Sequence, residues 1–185
     1  IPELHLGAPG ADANGIDSGA VYLISGADGG VLITVAGETA GEAFGTSASL
    51  VGDVDADGRA DFAGGALNGP WGPESGFARV FSGFDGHLLL QLSVMGYGTG
   101  PLEMAPAGDF DHDGVPDLLV VDSWWYATIF SGADGGLHFR EDNTQYSINY
   151  FVRSADVLGD VDGDGWDDVA VGSTFSYPEG TGIVA

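Results

Sequence analysis

Three nine-residue segments of this chain share the pattern Asp-x-Asp-x-Asp-Gly-x-x-Asp. The first places carboxylates at Asp53, Asp55, Asp57 and Asp61, the second at Asp109, Asp111, Asp113 and Asp117, and the third at Asp160, Asp162, Asp164 and Asp168. The chain contains no lysine. Two unpaired carboxylates about 4 Å apart repel by roughly 1 kcal/mol in water and about 4 kcal/mol near a protein surface. A hard divalent cation removes that cost. All-oxygen ligands on a loop turned sharply at glycine suit Ca²⁺ better than Zn²⁺ or copper. A single copy would pass for a solvated acidic turn. Three copies at identical spacing predict three Ca²⁺ sites.

Composition narrows the class. The chain has 185 residues, of which 44% are hydrophobic, enough for a folded core. Its 28 acids against four arginines give a net charge of −24. Three bound Ca²⁺ would still leave it at about −18. Such a surface has no basic patch to meet phosphate, which argues against nucleic acid and anionic membrane as partners. There is no cysteine, and no apolar run reaches membrane-spanning length. Calcium loops of this kind fit an extracellular or cell-surface setting better than a cytosol.

The loops are also a ruler. They start at residues 53, 109 and 160, and a second marker runs in step with them. It is Ser25-Gly26-Ala27-Asp28-Gly29, then Ser82-Gly83-Phe84-Asp85-Gly86, then Ser131-Gly132-Ala133-Asp134-Gly135. The repeat unit is therefore roughly 50 residues, and repeats of that length with several short strands signal a propeller or an array. The second unit has four short apolar runs, Ala48–Val51, Phe62–Ala66, Phe77–Phe81 and Leu88–Leu92, cut by Gly, Asp, Asn and Pro. These predict strands, and no stretch predicts a helix. Four antiparallel strands per unit make a β-propeller blade. The expected fold is all-β, a single partial propeller over 1–185. It has an incomplete first blade (1–42), a second (43–96), a third (97–147) and an incomplete fourth (148–185), about three and a half in all. The aspartate loop is expected between the first and second strands of a blade. The Ser-Gly-x-Asp-Gly turn is expected between the third and fourth, on the same face of the disc. Propellers close with about 4–8 blades, so another chain or further sequence is expected to complete the ring.

The repeats resemble FG-GAP repeats, the blades of the integrin α-subunit type of β-propeller. Phe44-Gly45 stands before the second unit as the FG, and Gly7-Ala8-Pro9 ends the first unit's second strand as the GAP. Phe151-Val152 replaces FG in the last unit, and Gly64-Gly65-Ala66 departs from GAP in the second. The resemblance implies that positions one, three, five and nine of each loop supply carboxylates. Position seven, held by Arg59, Val115 and Trp166, would supply a backbone carbonyl. An EF-hand is not expected, because its twelfth position needs Glu, and here that position is Gly64, Val120 or Val171. Glu3 aligns with Asp61 as a remnant ligand.

Little else carries chemistry. His5, His87, His112 and His138 recur at no ligand spacing, and His112, at position four of its loop, is expected to point outward. There is no Gly-x-Ser-x-Gly elbow and no phosphate-cradling Gly-Lys pair. No acid pair outside the loops is matched for glycosidase work. The connections opposite the loops carry Trp71, Trp124, Trp125, Phe175 and Tyr177. Rings such as Trp71, Trp124, Trp125 and Tyr177 form a candidate ligand face for a protein or glycan, or else pack between blades. The expected function is a calcium-stabilised recognition or adhesion module without catalysis. The alternatives are a lectin-like propeller, or an accessory or catalytic domain of a secreted polysaccharide-degrading enzyme.

Overall fold

The computed structural model describes residues 3–66, 75–97, 103–121, 126–142, 150–165, 167–175 and 183–184. Among them there are fourteen strands and no helix. The first sheet holds β1 (Leu4–Ala8), β2 (Ala20–Ile24) and β3 (Val31–Ala36). The second holds β4 (Ser47–Gly52), β5 (Asp61–Ala66), β6 (Ser75–Phe81) and β7 (Leu88–Tyr97). The third holds β8 (Glu103–Pro106), β9 (Leu118–Val121), β10 (Tyr126–Phe130) and β11 (Leu137–Asp142). The fourth holds β12 (Tyr150–Gly159), β13 (Asp168–Phe175) and β14 (Ile183–Val184). Within each sheet every strand pairs antiparallel with its sequence neighbour. These are up-and-down meanders, the blades of a partial β-propeller.

The core lies between sheets. Val21 and Leu23 of the first sheet pack on Phe44, Phe62, Phe77 and Phe81 of the second unit. Ala63, Ala78, Val80 and Leu92 of the second sheet meet Leu118, Val120 and Phe130 of the third. Leu119, Val121, Ala127 and Ile129 of the third sheet meet Ala155, Val157 and Val169 of the fourth. Strand β9 shows the cause. Its side chains alternate between faces, so Leu118 and Val120 serve one neighbour while Leu119 and Val121 serve the other. A strand buried on both faces needs a continuous apolar run, and Leu-Leu-Val-Val supplies it.

Phe44 and Gly45 join the first two sheets. The Phe44 ring is fully buried and stacks on Phe77 at 6.5 Å. It lies over Gly64, where a Cβ would sit 2.3 Å from the ring. A Cβ on Gly7 would meet the Gly45 carbonyl oxygen at 2.1 Å. Gly7 and Gly45 let the first sheet and the β3–β4 connection touch backbone to backbone, and Gly64 leaves room for the Phe44 ring. One expectation is exceeded: β7 runs to Tyr97 rather than Leu92, because its ladder with β6 continues to the Ser75–Tyr97 pair.

Candidate metal centres

The three aspartate segments join β4 to β5, β8 to β9 and β12 to β13, the first and second strands of their sheets. The three Ser-Gly-x-Asp-Gly turns join β2 to β3, β6 to β7 and β10 to β11. All three loops fold alike. Position four is left-handed in each, with φ of 60° at Ala56, 60° at His112 and 81° at Gly163. Position six is left-handed too, at Gly58, Gly114 and Gly165. These two reversals curl the backbone so that its N–H groups face the loop's own carboxylates.

The hydrogen bonds repeat position by position. The first carboxylate accepts from the N–H at position six, at 2.9 Å for Asp53, 3.0 Å for Asp109 and 3.0 Å for Asp160. The third-position carboxylates of Asp55, Asp111 and Asp162 accept from the N–H at position five. Asp57 and Asp113 accept from the N–H of Arg59 and Val115. The first, third and fifth side chains are thereby brought together. In the first loop, ligand oxygens of Asp53, Asp55 and Asp57 lie within 4.8 Å of one another, and those of Asp109, Asp111 and Asp113 do so in the second. In the third loop the corresponding group is Asp160, Asp162 and Asp168. Neither Arg59 nor Arg79, the two arginines whose side chains are described, pairs with these acids. Oδ1 of Asp109 is buried without a hydrogen-bond partner, so its lone pairs are open to a further donor or a cation. An all-oxygen donor set with an unpartnered oxygen fits Ca²⁺.

The ninth position does more than its place in the pattern implied. Asp61 is fully buried, and its Oδ2 accepts the Val54 N–H at 2.7 Å, within the loop. Its Oδ1 accepts the Gly83 N–H at 2.8 Å, from the β6–β7 turn. Asp117 repeats this clasp with Phe110 at 2.7 Å and Gly132 at 2.9 Å. Each carboxylate stitches an aspartate loop to the neighbouring turn, which is why the two markers run in step. The turn residue must be glycine, because a Cβ on Gly83 would meet the Ala60 carbonyl oxygen at 2.0 Å. Burial pushes the carboxyls of Asp61 and Asp117 above the usual range, and the two N–H bonds to each oppose that shift. In the third loop Asp168 keeps the inner half of the clasp, accepting the Val161 N–H at 2.8 Å.

The family model for the FG-GAP repeat matches residues 151–185. This segment is an FG-GAP repeat. It contains the third aspartate loop and the fourth sheet's described strands almost entirely. The loops of the second and third sheets share the FG-GAP segment's positions of left-handed backbone and its first, third and ninth carboxylate bonds. No curated protein matches the chain.

Several expectations fall elsewhere. Trp166 of the third loop lies outside the described residues, as do Trp71, Trp124, Trp125 and Tyr177 of the candidate ligand face. The Arg59 guanidinium lies 5.0 Å from the ring centre of Phe84, in the β6–β7 turn. Glu3 is exposed and belongs to no acid cluster among the described residues. His112 does not simply point outward. Its Nε2 donates to the Gly165 carbonyl at 2.6 Å and links the second loop to the third. His138 also has a role that spacing concealed: it sits 27 residues beyond Asp111 in sequence, yet its Nε2 is 3.0 Å from Asp111 Oδ2.

Proposed function

We propose that the chain is a calcium-stabilised, non-catalytic recognition module of an extracellular or cell-surface protein. One Ca²⁺ is assigned to each loop: to Asp53, Asp55, Asp57 and Asp61 with the Arg59 carbonyl, to Asp109, Asp111, Asp113 and Asp117 with the Val115 carbonyl, and to Asp160, Asp162, Asp164 and Asp168 with the Trp166 carbonyl. The observation that carries this proposal is the convergence of three carboxylates, with ligand oxygens within 4.8 Å of one another, in every loop, where a divalent cation offsets their mutual repulsion. The ion supplies charge neutralisation. The chain's own N–H groups orient the carboxylates beforehand, and the ninth-position clasps pass the order of the loop to the adjacent turn. The FG-GAP match and the repeat's usual occurrence in extracellular proteins support the setting. No helix among the described residues is long and apolar enough to cross a membrane.

Recognition of a protein or glycan is assigned to the opposite ends of the strands. There the β5–β6 and β9–β10 connections carry Trp71, Trp124 and Trp125, with Tyr177 in the β13–β14 connection. The deciding experiment is thermal unfolding in excess Ca²⁺ and in excess chelator. A site saturated at a hundred times its Kd contributes about 2.7 kcal/mol, or about 5–10 °C in Tm for a chain of this size. Three sites therefore predict a large fall on chelation. Identical melting curves would refute the calcium assignment.

A further inference from the structure

The third sheet brings a nitrogen donor to its aspartate loop, and the second does not. His138, the second residue of β11, presents Nε2 at 3.0 Å from Asp111 Oδ2. Ligand atoms of His138, Asp111 and Asp117 all lie within 4.8 Å of one another. Seven residues past the serine of each turn, where the third sheet has His138, the first two sheets carry Leu32 and Leu89. The second sheet's histidine, His87, is turned to its own Asp85 at 2.7 Å instead.

Asp111 is divided between two environments. Its Oδ1 accepts the Asp113 N–H inside the loop, and its Oδ2 faces His138. Asp117 accepts one N–H on each oxygen, and each carboxylate oxygen retains a second acceptor direction. The imidazole is 26% exposed, so an ion has a route in from solvent. Calcium takes oxygen alone, whereas imidazole favours Zn²⁺, Ni²⁺ and their neighbours.

We propose that His138, Asp111 and Asp117 form a mixed nitrogen–oxygen site for a first-row divalent metal ion of the Zn²⁺, Co²⁺ or Ni²⁺ class, which shares Asp111 and Asp117 with the calcium proposed for the second aspartate loop. Neither the first nor the third loop has this capacity among the described residues. The test titrates Co²⁺ into the Ca²⁺-saturated full chain. It follows the visible absorption of the ion and the ring resonances of His138. Wild-type protein takes up one Co²⁺ with perturbed His138 resonances, and Zn²⁺ displaces it. His138→Leu, which installs the residue found in the other two sheets, weakens Co²⁺ binding by at least about 100-fold while melting in excess Ca²⁺ as the wild type does. His138→Gln keeps a donor to Asp111 without an imidazole and gives the same loss, so a folding defect in the leucine variant does not obscure the result. Uptake that is absent in the wild type, or equal in the wild type and both variants, overturns the site. Cobalt is the readout, so this outcome is separate from whether calcium raises the Tm.

Discussion

Position four of the aspartate loop is occupied by alanine, histidine and glycine in turn, yet its backbone is left-handed in all three. A side chain there pays about 1–2 kcal/mol of steric strain, and glycine's extra freedom in the unfolded chain offsets part of any relief. Ala56→Gly is therefore expected to raise stability by about 0.5 kcal/mol, measured by urea unfolding in excess Ca²⁺. Two further glycines separate conformation from collision. A Cβ at Gly58 meets nothing within 4 Å, so Gly58→Ala tests the positive φ alone and should cost about 1–2 kcal/mol. Gly83→Ala drives a Cβ into the Ala60 carbonyl and so pushes the backbone N–H out of line with Asp61. It should cost more than about 3 kcal/mol. Equal losses in the two variants would show that the close backbone approach does not matter. The His87–Asp85 pair makes a prediction in pH. The hydrogen bond that its ring donates to Asp85 holds His87 above its ordinary 6.5, and the bonds Asp85 accepts from the backbone and ring of His87 hold it below its ordinary 3.8. A raised histidine stabilises below its unfolded pKa and loses that contribution as pH rises through the folded one. A depressed aspartate stabilises above its unfolded pKa and loses it as pH falls through the folded one. The pair is thus intact between the two ordinary values. An NMR titration should place His87 above 6.5 in the wild type and lower in Asp85→Asn.

Elements were legible wherever a local pattern decides them. The strands of the second sheet follow from apolar runs cut by turn residues, and the aspartate loops fall between the strands expected of them. What the sequence concealed joins residues far apart in the chain. The clasp of Asp61 to Gly83 spans 22 residues, and Arg79 reaches Glu42 across 37. Arg79 interrupts the apolar alternation of β6 and would be taken for a solvent-facing charge. It is instead 4% exposed, bonded to Glu42 at 2.9 Å and to Gln91 at 3.1 Å, with its guanidinium 4.4 Å from the Phe77 ring centre. Glu42 in turn accepts the N–H groups of Glu38 and Thr39, so the pair pins the β3–β4 connection to the second sheet. Removing one partner of a buried pair leaves the other uncompensated. Arg79→Met should therefore cost about 3–5 kcal/mol, and pairing it with Glu42→Gln should recover part of that loss. A double-mutant cycle by chemical denaturation checks this. Strict additivity would mean that the two side chains stabilise the fold independently.

At the scale of the whole molecule, stability rests on interfaces between neighbouring sheets and is opposed by charge. Each apolar cluster joins one sheet to the next, so a loss at one interface is felt first by its two blades, as in other repeat architectures. The charge is shared by all of them. Of the four arginines, Arg79 is spent on a buried pair and Arg59 lies over Phe84. The 28 acids are left in a field of one sign, which destabilises a compact state by self-repulsion. Salt screens that field, with a Debye length of about 10 Å at 0.1 M and about 3 Å at 1 M. In chelator, the Tm should rise steadily as NaCl is increased over this range. In excess Ca²⁺ the rise should be shallower, because the most closely spaced carboxylates, those within 4.8 Å of one another, are already neutralised and the remaining charges are farther apart. Parallel slopes in the two conditions would mean that the loops contribute no more to the repulsion than the rest of the surface. They would remove the electrostatic reason for placing calcium there, even if chelation lowered the Tm by another route.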